Sequence, residues 1–296
     1  MSVLNLLKFI TTHPLNRDNK FKSVLRFAKW QIGSRLVPGE IIYNWINGSK
    51  FIVRNGETGL TGNIYAGLYE FSHMAFLLHV LRNDDLFIDV GANVGSYTIL
   101  ACSAIGASGY AFEPVPSTYK RLIENIFLNH IENRVKCLNV CVGNEQGSIA
   151  FTSKMDTTNH VIASGEQNDN KINVEVTKLD KVLMGKSPTL IKIDVEGYET
   201  KVLEGAVETL KKQTLHSVIM ELNGSGTHYG FDETRILKMM FNYGFRTYSY
   251  NPLNRTLVNL KGKDSNSGNT LFIRDKSFVL DRLNNSPKVT IHGKQF

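Results

Sequence analysis

The chain has 296 residues, of which 42% are hydrophobic and 21% charged, and this composition excludes a disordered chain. No apolar run reaches the length of a membrane span, no secretory signal is evident, and the three cysteines show no metal-ligand spacing. We therefore expect a cytoplasmic protein with reduced thiols. Residues 1–39 hold seven basic side chains and one acid, so they carry +6 of the net charge of +7. This uneven distribution opposes a nucleic-acid-binding core, and we expect no nucleic acid as a partner.

The first predicted element is a helix over residues 21–36, because apolar side chains recur on one face and basic side chains occupy others. The apolar positions are Phe21, Val24, Leu25, Ala28, Ile32 and Leu36. Two interpretations are open. Either the apolar face packs on the protein's own domain, or the helix is a basic amphipathic one that makes the protein peripheral at the inner membrane face. Asn47-Gly48 then separates two apolar runs, which predicts a β-hairpin, and a helix is predicted at about 69–82.

From residue 85 onwards, short apolar strands alternate with helical stretches. Strands are predicted at 86–90, 109–113, 135–140, 189–195 and 217–222, and helices at 95–105, 117–129, 199–212 and 232–243. This alternation predicts an α/β fold with a doubly wound, mostly parallel sheet of the Rossmann-like type. A polar segment at about 144–175 interrupts the alternation and should contain a hairpin.

Two late strands are predicted at 245–250 and 270–274. No crossover helix joins them, so at least one should be antiparallel. The last 20 or so residues suggest a loose tail. The predicted division is an N-terminal helix, hairpin and helix extension (1–84), a main domain (85–275) and a C-terminal tail (276–296).

A glycine-rich turn follows the first strand of the main domain, in LFIDVGANVGSYT. Glycines at such a turn allow a ligand to approach the backbone closely. The spacing departs from the dinucleotide pattern GxGxxG, because Asn93 and Ser96 replace its second and third glycines. The strand also carries an acid, Asp89, which would repel a pyrophosphate. S-adenosylmethionine has no phosphate, and its ammonium group and sulfonium suit a nearby acid.

A second acid, Glu113, ends the next predicted strand and is followed by Pro114, which stops that strand. An acid there could accept both hydroxyls of a ribose. NAD would use the same acid, so Asp89 and the missing glycines carry the distinction. We therefore predict S-adenosylmethionine as the cofactor. The predicted contacts are Asp89, Gly91, Ala92, Asn93, Gly95, Tyr97, Glu113, Pro114, Asn139 and Asp194.

Five separated segments of the chain resemble successive blocks of the FkbM-type methyltransferases. They are DVGANVGSYT, FEPVPSTYKRLIENI, TKLD, IKIDVEGYE and VIMEL, and they extend over about residues 85–222. The resemblance implies a class I, S-adenosylmethionine-dependent enzyme that methylates a hydroxyl oxygen. It also implies acceptors such as sugars of glycans or macrolides, and we expect a sugar, glycan or glycolipid precursor. The segments before and after these blocks carry no family motif, so the acceptor is the least constrained part of this prediction.

Two acids, Asp194 and Glu196, follow the fourth strand in KIDVEGYE. This position lines the ligand crevice of a doubly wound sheet, and both side chains share one side if the chain stays extended. One of them could be the general base for an alcohol, with Asp194 expected nearest the methyl group. Alternatively, either acid only caps the following helix. His228, in a glycine-rich loop after the fifth strand, is the third catalytic candidate, and the acids show no metal-ligand spacing.

Two other functions remain open. A NAD-dependent oxidoreductase is opposed by the broken glycine pattern. A non-catalytic protein on a methyltransferase fold is opposed by the complete set of two acids and two glycines around the first turn. Further candidates for the crevice are Tyr65, Tyr69, Glu70, Cys141, His160 and Glu221.

Overall fold

The chain alternates strands and helices in a computed structural model that describes residues 2–37, 39–54, 58–153, 158–163, 165–167 and 169–296. The helices are α1 (Val3–Thr12), α2 (Lys20–Leu36), α3 (Thr58–Ala66), α4 (Phe71–Val80), α5 (Ser96–Ile99), α6 (Pro116–Leu128), α7 (Leu179–Val182), α8 (Glu199–Glu204), α9 (Val207–Lys211), α10 (Glu233–Asn242) and α11 (Lys276–Asn284). The strands are β1 (Glu40–Asn44), β2 (Lys50–Arg54), β3 (Leu86–Val90), β4 (Ser108–Phe112), β5 (Val135–Leu138), β6 (Cys141–Val142), β7 (Gly147–Thr152), β8 (Lys171–Thr177), β9 (Leu190–Ile193), β10 (Ser217–Glu221), β11 (Arg246–Asn251), β12 (Thr256–Asn259), β13 (Asn269–Ile273), β14 (Thr290–Ile291) and β15 (Lys294–Gln295).

The central sheet has eight strands in the order β12-β11-β13-β10-β9-β3-β4-β5. The five strands from β10 to β5 are parallel, whereas β13 is antiparallel to both of its neighbours. This arrangement confirms the predicted doubly wound, mostly parallel sheet and the antiparallel late strand. The next strand in sequence, β4, lies on one side of β3, and β9 lies on the other. A ligand crevice is therefore expected beyond the carboxyl ends of these strands.

Helices cover both faces of this sheet, which explains why its central strands are apolar in sequence. One face packs against α4, α6 and α11, and the other against α8, α9 and α10. Both faces of β9 are buried, including the side chain of Lys192. The site therefore rests on strands whose side chains are mostly buried.

Both predicted hairpins are present. In the first, β1 pairs antiparallel with β2, and Asn47 and Gly48 between them adopt positive φ angles of 49° and 83°. These angles are the reason that an Asn-Gly pair marks such a turn. In the polar segment, β7 pairs antiparallel with β8, and β6 adds a short parallel strand. Part of the polar segment lies outside the described residues.

Two predicted helices differ from the structure. The helix predicted over 95–105 begins as α5 but continues as a π-helical turn at Leu100–Ile105. The helix predicted over 199–212 is broken between α8 and α9, where a Cβ on Gly205 would lie 1.9 Å from the carbonyl oxygen of Gly143. That close approach of the two backbones restricts position 205 to glycine, which favours a helix end there. The elements α1, α3 and β12 were not predicted.

The last residues are not a loose tail. Residues 276–284 form α11, and β14 pairs with β15 in a short hairpin. Phe296 is 4% exposed, and its ring lies 5.1 Å from that of Phe71 and 5.5 Å from that of His79. The sequence signal was weak because only a few isolated apolar side chains anchor this segment.

Helix α2 occupies the predicted range but turns its apolar stripe outwards. Phe21 is 78% exposed, Ile32 60% and Leu36 75%, whereas Ser23 and Ser34 are buried. The helix does pack on its own domain, but through the opposite face. No helix in the described part of the chain is long and apolar enough to cross a membrane.

Candidate active site

The glycine-rich turn after β3 brings two strand ends into contact. Gly91 adopts a φ of +81°, and a Cβ there would lie 1.8 Å from the carbonyl oxygen of Asp194. The amide groups of Gly91 and Ala92 both donate to the carbonyl oxygen of Phe112, at 3.0 and 2.9 Å. Asn93 also has a positive φ, of 51°. Only glycine fits the first position, and the tight turn leaves space in front of β3 and β9.

Asp89 lies on β3 at the back of this space and is fully buried. Its carboxylate accepts a hydrogen bond from the Thr98 hydroxyl at 2.6 Å. Burial raises its pKa to about 6, although the Thr98 hydroxyl and the charge of Lys192 act in the opposite direction. A cationic ligand bound beside this acid would favour its ionised form, and the proton would be released to solvent.

Glu113 follows β4 and turns its carboxylate back over the glycine turn. It accepts hydrogen bonds from the amides of Asn93 and Val115, at 3.0 and 2.9 Å. Burial nevertheless raises its pKa to about 7. The side-chain amide of Asn139 donates to the carbonyl oxygens of Glu113 and Pro114, at 2.8 and 2.9 Å. Asn139 thus holds the strand end in place and does not line the cavity.

The segment KIDVEGYE brings both of its predicted acids to the same cavity, although the chain does not stay extended. Glu196 has a φ of 52°, so the chain bends after Asp194. Oxygen atoms of Asp194, Glu196 and Glu221 lie within 4.8 Å of one another. Burial, followed by the charge of Asp194, raises the pKa of Glu196 to about 7.

Neither predicted acid caps the following helix. The N-cap of α8 is Tyr198, and the side chain of Glu199 folds back instead. It accepts hydrogen bonds from the amides of Val195 and Gly197, both at 3.2 Å. Glu199 is therefore the residue that fixes the bend and leaves the two preceding acids facing the cavity.

No role for Lys192 is predicted from the sequence. The residue lies in the central strand β9, and its side chain is buried. Its Nζ donates to Asp194 Oδ2 at 2.7 Å and lies 5.1 Å from the centre of the Tyr97 ring. Nearby acids, of which Asp194 is the strongest influence, raise its pKa despite complete burial. The sequence does contain a signal for this ion pair, a lysine in the middle of the apolar strand segment IKI, because a buried lysine needs a partner for its charge.

These residues surround a cavity of about 350 Å³. Its carboxyl groups belong to Glu70, Asp89, Glu113, Asp194, Glu196 and Glu221, and Lys192 supplies the one basic side chain among the described lining residues. The acids suit a ligand with an ammonium group, a sulfonium and ribose hydroxyls, as predicted for S-adenosylmethionine. The apolar lining, which includes Val140 and Cys141, could hold an adenine ring.

Most of the other predicted residues also reach the cavity. Ala92, Asn93, Tyr97, Pro114 and Tyr69 line it, and the Tyr97 hydroxyl donates to Glu70. Gly95 and Tyr65, like Asn139, do not line it: Gly95, whose φ is +97°, faces Leu122, and the Tyr65 hydroxyl accepts a hydrogen bond from Gln31.

His228 and His160 lie together outside the cavity lining. His228 Nε2 lies 2.9 Å from one carboxylate oxygen of Glu166, and His160 Nε2 lies 3.1 Å from the other. Hydrogen bonds from His228 and the Ala163 amide lower the pKa of Glu166 to about 2. Glu166 thus connects the polar segment to the loop after β10, which sequence reasoning did not foresee.

Comparison with known proteins agrees with this geometry. The profile of the family described as "Methyltransferase FkbM domain" matches residues 89–247. Hexuronic acid methyltransferase AglP of Haloferax volcanii is 30% identical, over 55% of this chain and 64% of AglP, which is less than two thirds of that protein. Methyltransferase sdnD of Sordaria araneosa is 26% identical, over 52% of this chain and 76% of sdnD.

Solved structures show weaker similarity. An rRNA methylase from Streptococcus thermophilus has a TM-score of 0.40 at 14% identity, and the match covers 68% of this chain and 91% of the methylase chain. P. horikoshii TYW2, solved in complex with MeSAdo, has a TM-score of 0.37 at 18% identity and covers 79% and 69% of the two chains.

The family match covers more than half of the chain and includes the glycine turn, both strand-end acids and the KIDVEGYE segment. The chain therefore belongs to the FkbM family of S-adenosylmethionine-dependent methyltransferases.

Proposed function

We propose that this methyltransferase transfers its methyl group to a hydroxyl oxygen of a sugar, in a glycan or glycolipid precursor. The observation that carries the proposal is the carboxyl group of Glu196 in the cavity. Its pKa, raised to about 7, is matched to proton abstraction near neutral pH. Within the described part of the chain, its carboxylate has no hydrogen-bond partner and is available to an acceptor. The printed name of AglP, a hexuronic acid methyltransferase, supports a sugar as the acceptor.

Bound S-adenosylmethionine supplies an electrophilic methyl group on sulfur. In the proposed reaction the carbon–sulfur bond would break as the acceptor oxygen bonds to the methyl carbon, with S-adenosylhomocysteine as the leaving group. The hydroxyl proton passes to the Glu196 carboxylate. Asp194, fixed by Lys192 at 2.7 Å, is the weaker candidate for the base, because its charge is already compensated. We assign Asp194 the role of positioning the cofactor or the acceptor hydroxyl.

The cofactor contacts follow from the same geometry. In our proposal, Asp89 lies near the ammonium group, Glu113 accepts the ribose hydroxyls, and the turn from Gly91 to Asn93 admits the methionine tail. The raised pKa values of Asp89 and Glu113 imply that a ligand which needs both carboxylates must bind with loss of protons.

The charge of the cavity favours a hydroxyl over a carboxylate as the reacting group. A hexuronic acid offers both kinds of oxygen. A carboxylate brought to the methyl group would approach the charges of Asp194 and of ionised Glu196, and like charges at such distances repel. Burial and these two neighbouring acids raise the pKa of Glu221 to about 10, so Glu221 adds little negative charge near neutral pH. A neutral hydroxyl avoids this repulsion and also needs the base that Glu196 provides.

The test is methyl transfer to a matched pair of acceptors, a phenyl glucuronide and the corresponding phenyl glucoside, together with glycan and glycolipid fractions. Products are treated with mild alkali, which cleaves a methyl ester and leaves a methyl ether intact. An alkali-stable methyl group on a sugar is expected. An alkali-labile product would refute the hydroxyl assignment, and transfer to RNA alone would refute the sugar.

The Glu196→Gln variant separates catalysis from binding. Its kcat should fall about 10²- to 10⁴-fold, while calorimetric affinity for S-adenosylhomocysteine stays unchanged. The exposed Glu175→Gln is the matched control and should behave like the wild type. Glu113→Ala should instead lose the affinity for S-adenosylhomocysteine. Unchanged turnover in Glu196→Gln would show that this carboxylate is not the base.

A further inference from the structure

Exposed apolar side chains are concentrated at the N-terminal end of the chain. Thirteen large apolar residues are exposed in the described part of the protein, and eight of them lie within residues 3–37. These eight are Val3, Leu4, Phe21, Val24, Leu25, Ile32, Leu36 and Val37. Scattered exposed apolar residues need no explanation, but a contiguous group marks an interaction surface.

The stripe on α2 has the form of an interfacial helix. Phe21, Leu25 and Ile32 recur at helical spacing on the face opposite to the buried Ser23 and Ser34. The face that packs on the protein is held by Phe27 and Trp30, which contact the core, and by polar bonds. An Arg26 nitrogen donates to the carbonyl oxygen of Tyr65 at 2.8 Å, and the Gln31 side-chain amide donates to the Tyr65 hydroxyl at 2.7 Å. The outer stripe therefore remains available without any change in fold.

Basic residues border this stripe, and no acidic residue lies on the helix. Lys22 and Lys29 are exposed on one side of the stripe and Arg35 on the other. The single acid of residues 1–39 is Asp18, whose carboxylate is paired with Lys294 Nζ at 2.6 Å. Lys22, Lys29 and Arg35 have no acidic partner among the described residues. Apolar side chains flanked by such cations match a surface in which an anionic layer covers an apolar one.

This charge pattern also decides against a second copy of the chain as the occupant. Two copies that buried their stripes against each other would bring Lys22 and Lys29 of both helices together, with no acid on α2 to compensate them. A nucleic acid would satisfy the lysines but not the apolar stripe. An anionic lipid surface satisfies both.

We propose that the outer stripe of α2 binds the surface of a membrane that contains anionic lipids. The inner face of α2 is hydrogen-bonded to Tyr65 of α3. Helix α3 also contributes Asn63 to the wall of the active-site cavity. Membrane binding through α2 therefore holds the methyltransferase site close to the bilayer, where a lipid-linked acceptor would be present. The membrane contact itself does not depend on the identity of the acceptor.

The experiment is co-sedimentation of the full chain with vesicles of phosphatidylcholine mixed with phosphatidylglycerol, and with vesicles of phosphatidylcholine alone, at low and high salt. The wild type should bind the anionic vesicles more tightly, and salt should weaken the binding. Lys22→Gln with Lys29→Gln should lower the partition coefficient about 25-fold, from about fivefold for each charge. Leu25→Glu with Ile32→Glu should abolish binding.

Matched controls keep the test specific. Lys178→Gln with Lys186→Gln changes the net charge equally at exposed positions elsewhere, and Met184→Glu changes an exposed apolar residue outside α2. Both controls should bind like the wild type, and every variant should keep its melting temperature and its affinity for S-adenosylhomocysteine.

Three outcomes would overturn the proposal. The folded protein could fail to bind either vesicle. The Leu25→Glu, Ile32→Glu variant could retain binding that only the lysine variant loses, which would indicate a polyanion such as RNA. The wild type could be a dimer by light scattering that this same double variant dissociates, which would assign the stripe to a second copy.

Discussion

Replacement of Lys192 by Met tests whether the buried lysine holds the acidic site together. The Lys192 side chain is 2% exposed, and its Nζ lies 2.7 Å from Asp194 Oδ2. Met keeps most of the aliphatic stem, so the change removes the charge with little change in volume. The variant leaves Asp194 and its neighbours Glu221 and Glu70 without the cation that faces them.

The distance and burial of this ion pair set how much free energy of unfolding the variant loses. The gross attraction of unit charges 2.7 Å apart, with an effective dielectric constant of about 20, is about 6 kcal/mol. The variant no longer has to desolvate a lysine, which offsets part of this loss. Removal of one partner of a buried ion pair typically costs about 3–5 kcal/mol. Because the Asp194 side chain is 31% exposed and keeps part of its hydration, we expect a loss at the lower end of this range, of about 3 kcal/mol.

The loss should depend on pH in a defined direction. Without Lys192, the neighbouring carboxyl groups hold protons more tightly in the folded protein than in the unfolded one. The uncompensated negative charge, and so the loss of stability, is therefore largest at about pH 8.5 and smaller at about pH 5.5. Urea unfolding at both pH values measures this difference.

A matched control is available on the surface. The Nζ of Lys211 also lies 2.7 Å from a carboxylate oxygen, that of Glu208, but both side chains are more than half exposed. Lys211→Met should leave the unfolding midpoint unchanged at both pH values. Equal stability of Lys192→Met and wild type at about pH 8.5, or a loss that does not vary with pH, would refute the electrostatic role.

Three further predictions concern the turn, the C-terminus and pH. Gly91→Ala should abolish binding of S-adenosylhomocysteine, because the added Cβ would lie 1.8 Å from the backbone oxygen of Asp194. The control is Gly185→Ala, at a position with a φ of +72° and no atom of a non-adjacent residue within 4 Å of the added Cβ. It should lower the free energy of unfolding by only about 1–2 kcal/mol and leave the affinity unchanged. Phe296→Ala should lower the free energy of unfolding by about 3 kcal/mol or more, whereas Phe127→Ala, at a 58% exposed position, should change it by less than about 0.5 kcal/mol. The melting temperature of the cofactor-free protein should fall between about pH 6 and 8.5, because burial raises the pKa values of Glu113 and Glu199 to about 7. The stability that these acids contribute is fully present below their unfolded pKa values and is lost as the pH rises through the folded ones. A melting temperature that rises over this range would contradict the raised pKa values.

Much of the central sheet could be predicted from the sequence. Strands buried on both faces must be short apolar runs, and helices that cover them must alternate with those runs, so the pattern after residue 85 predicts the order of elements. The turn after β3 could also be predicted, because positive φ angles restrict position 91 to glycine. The acids at the strand ends could be predicted as site residues for a different reason: a carboxylate at the end of a buried strand needs a partner for its charge.

Features that depend on long-range contacts could not be predicted. The bend after Asp194 is set by the folded-back side chain of Glu199, and the Glu166 contacts join segments 62 residues apart. Phe296 is buried because it meets Phe71 across the fold, which no local pattern shows.

The sequence is sufficient to predict the alternation of strands and helices after residue 85, the glycine turn and the strand-end acids Asp89 and Glu113, because these follow from local backbone geometry and strand periodicity. Long-range contacts establish which face of α2 is buried and which charge compensates Asp194. Helical periodicity shows that α2 has an apolar stripe, but polar bonds to Tyr65 hold its opposite face. Similarly, the sequence places Lys192 two residues from Asp194, but only the packed sheet removes water from around the lysine and makes its pairing with Asp194 necessary.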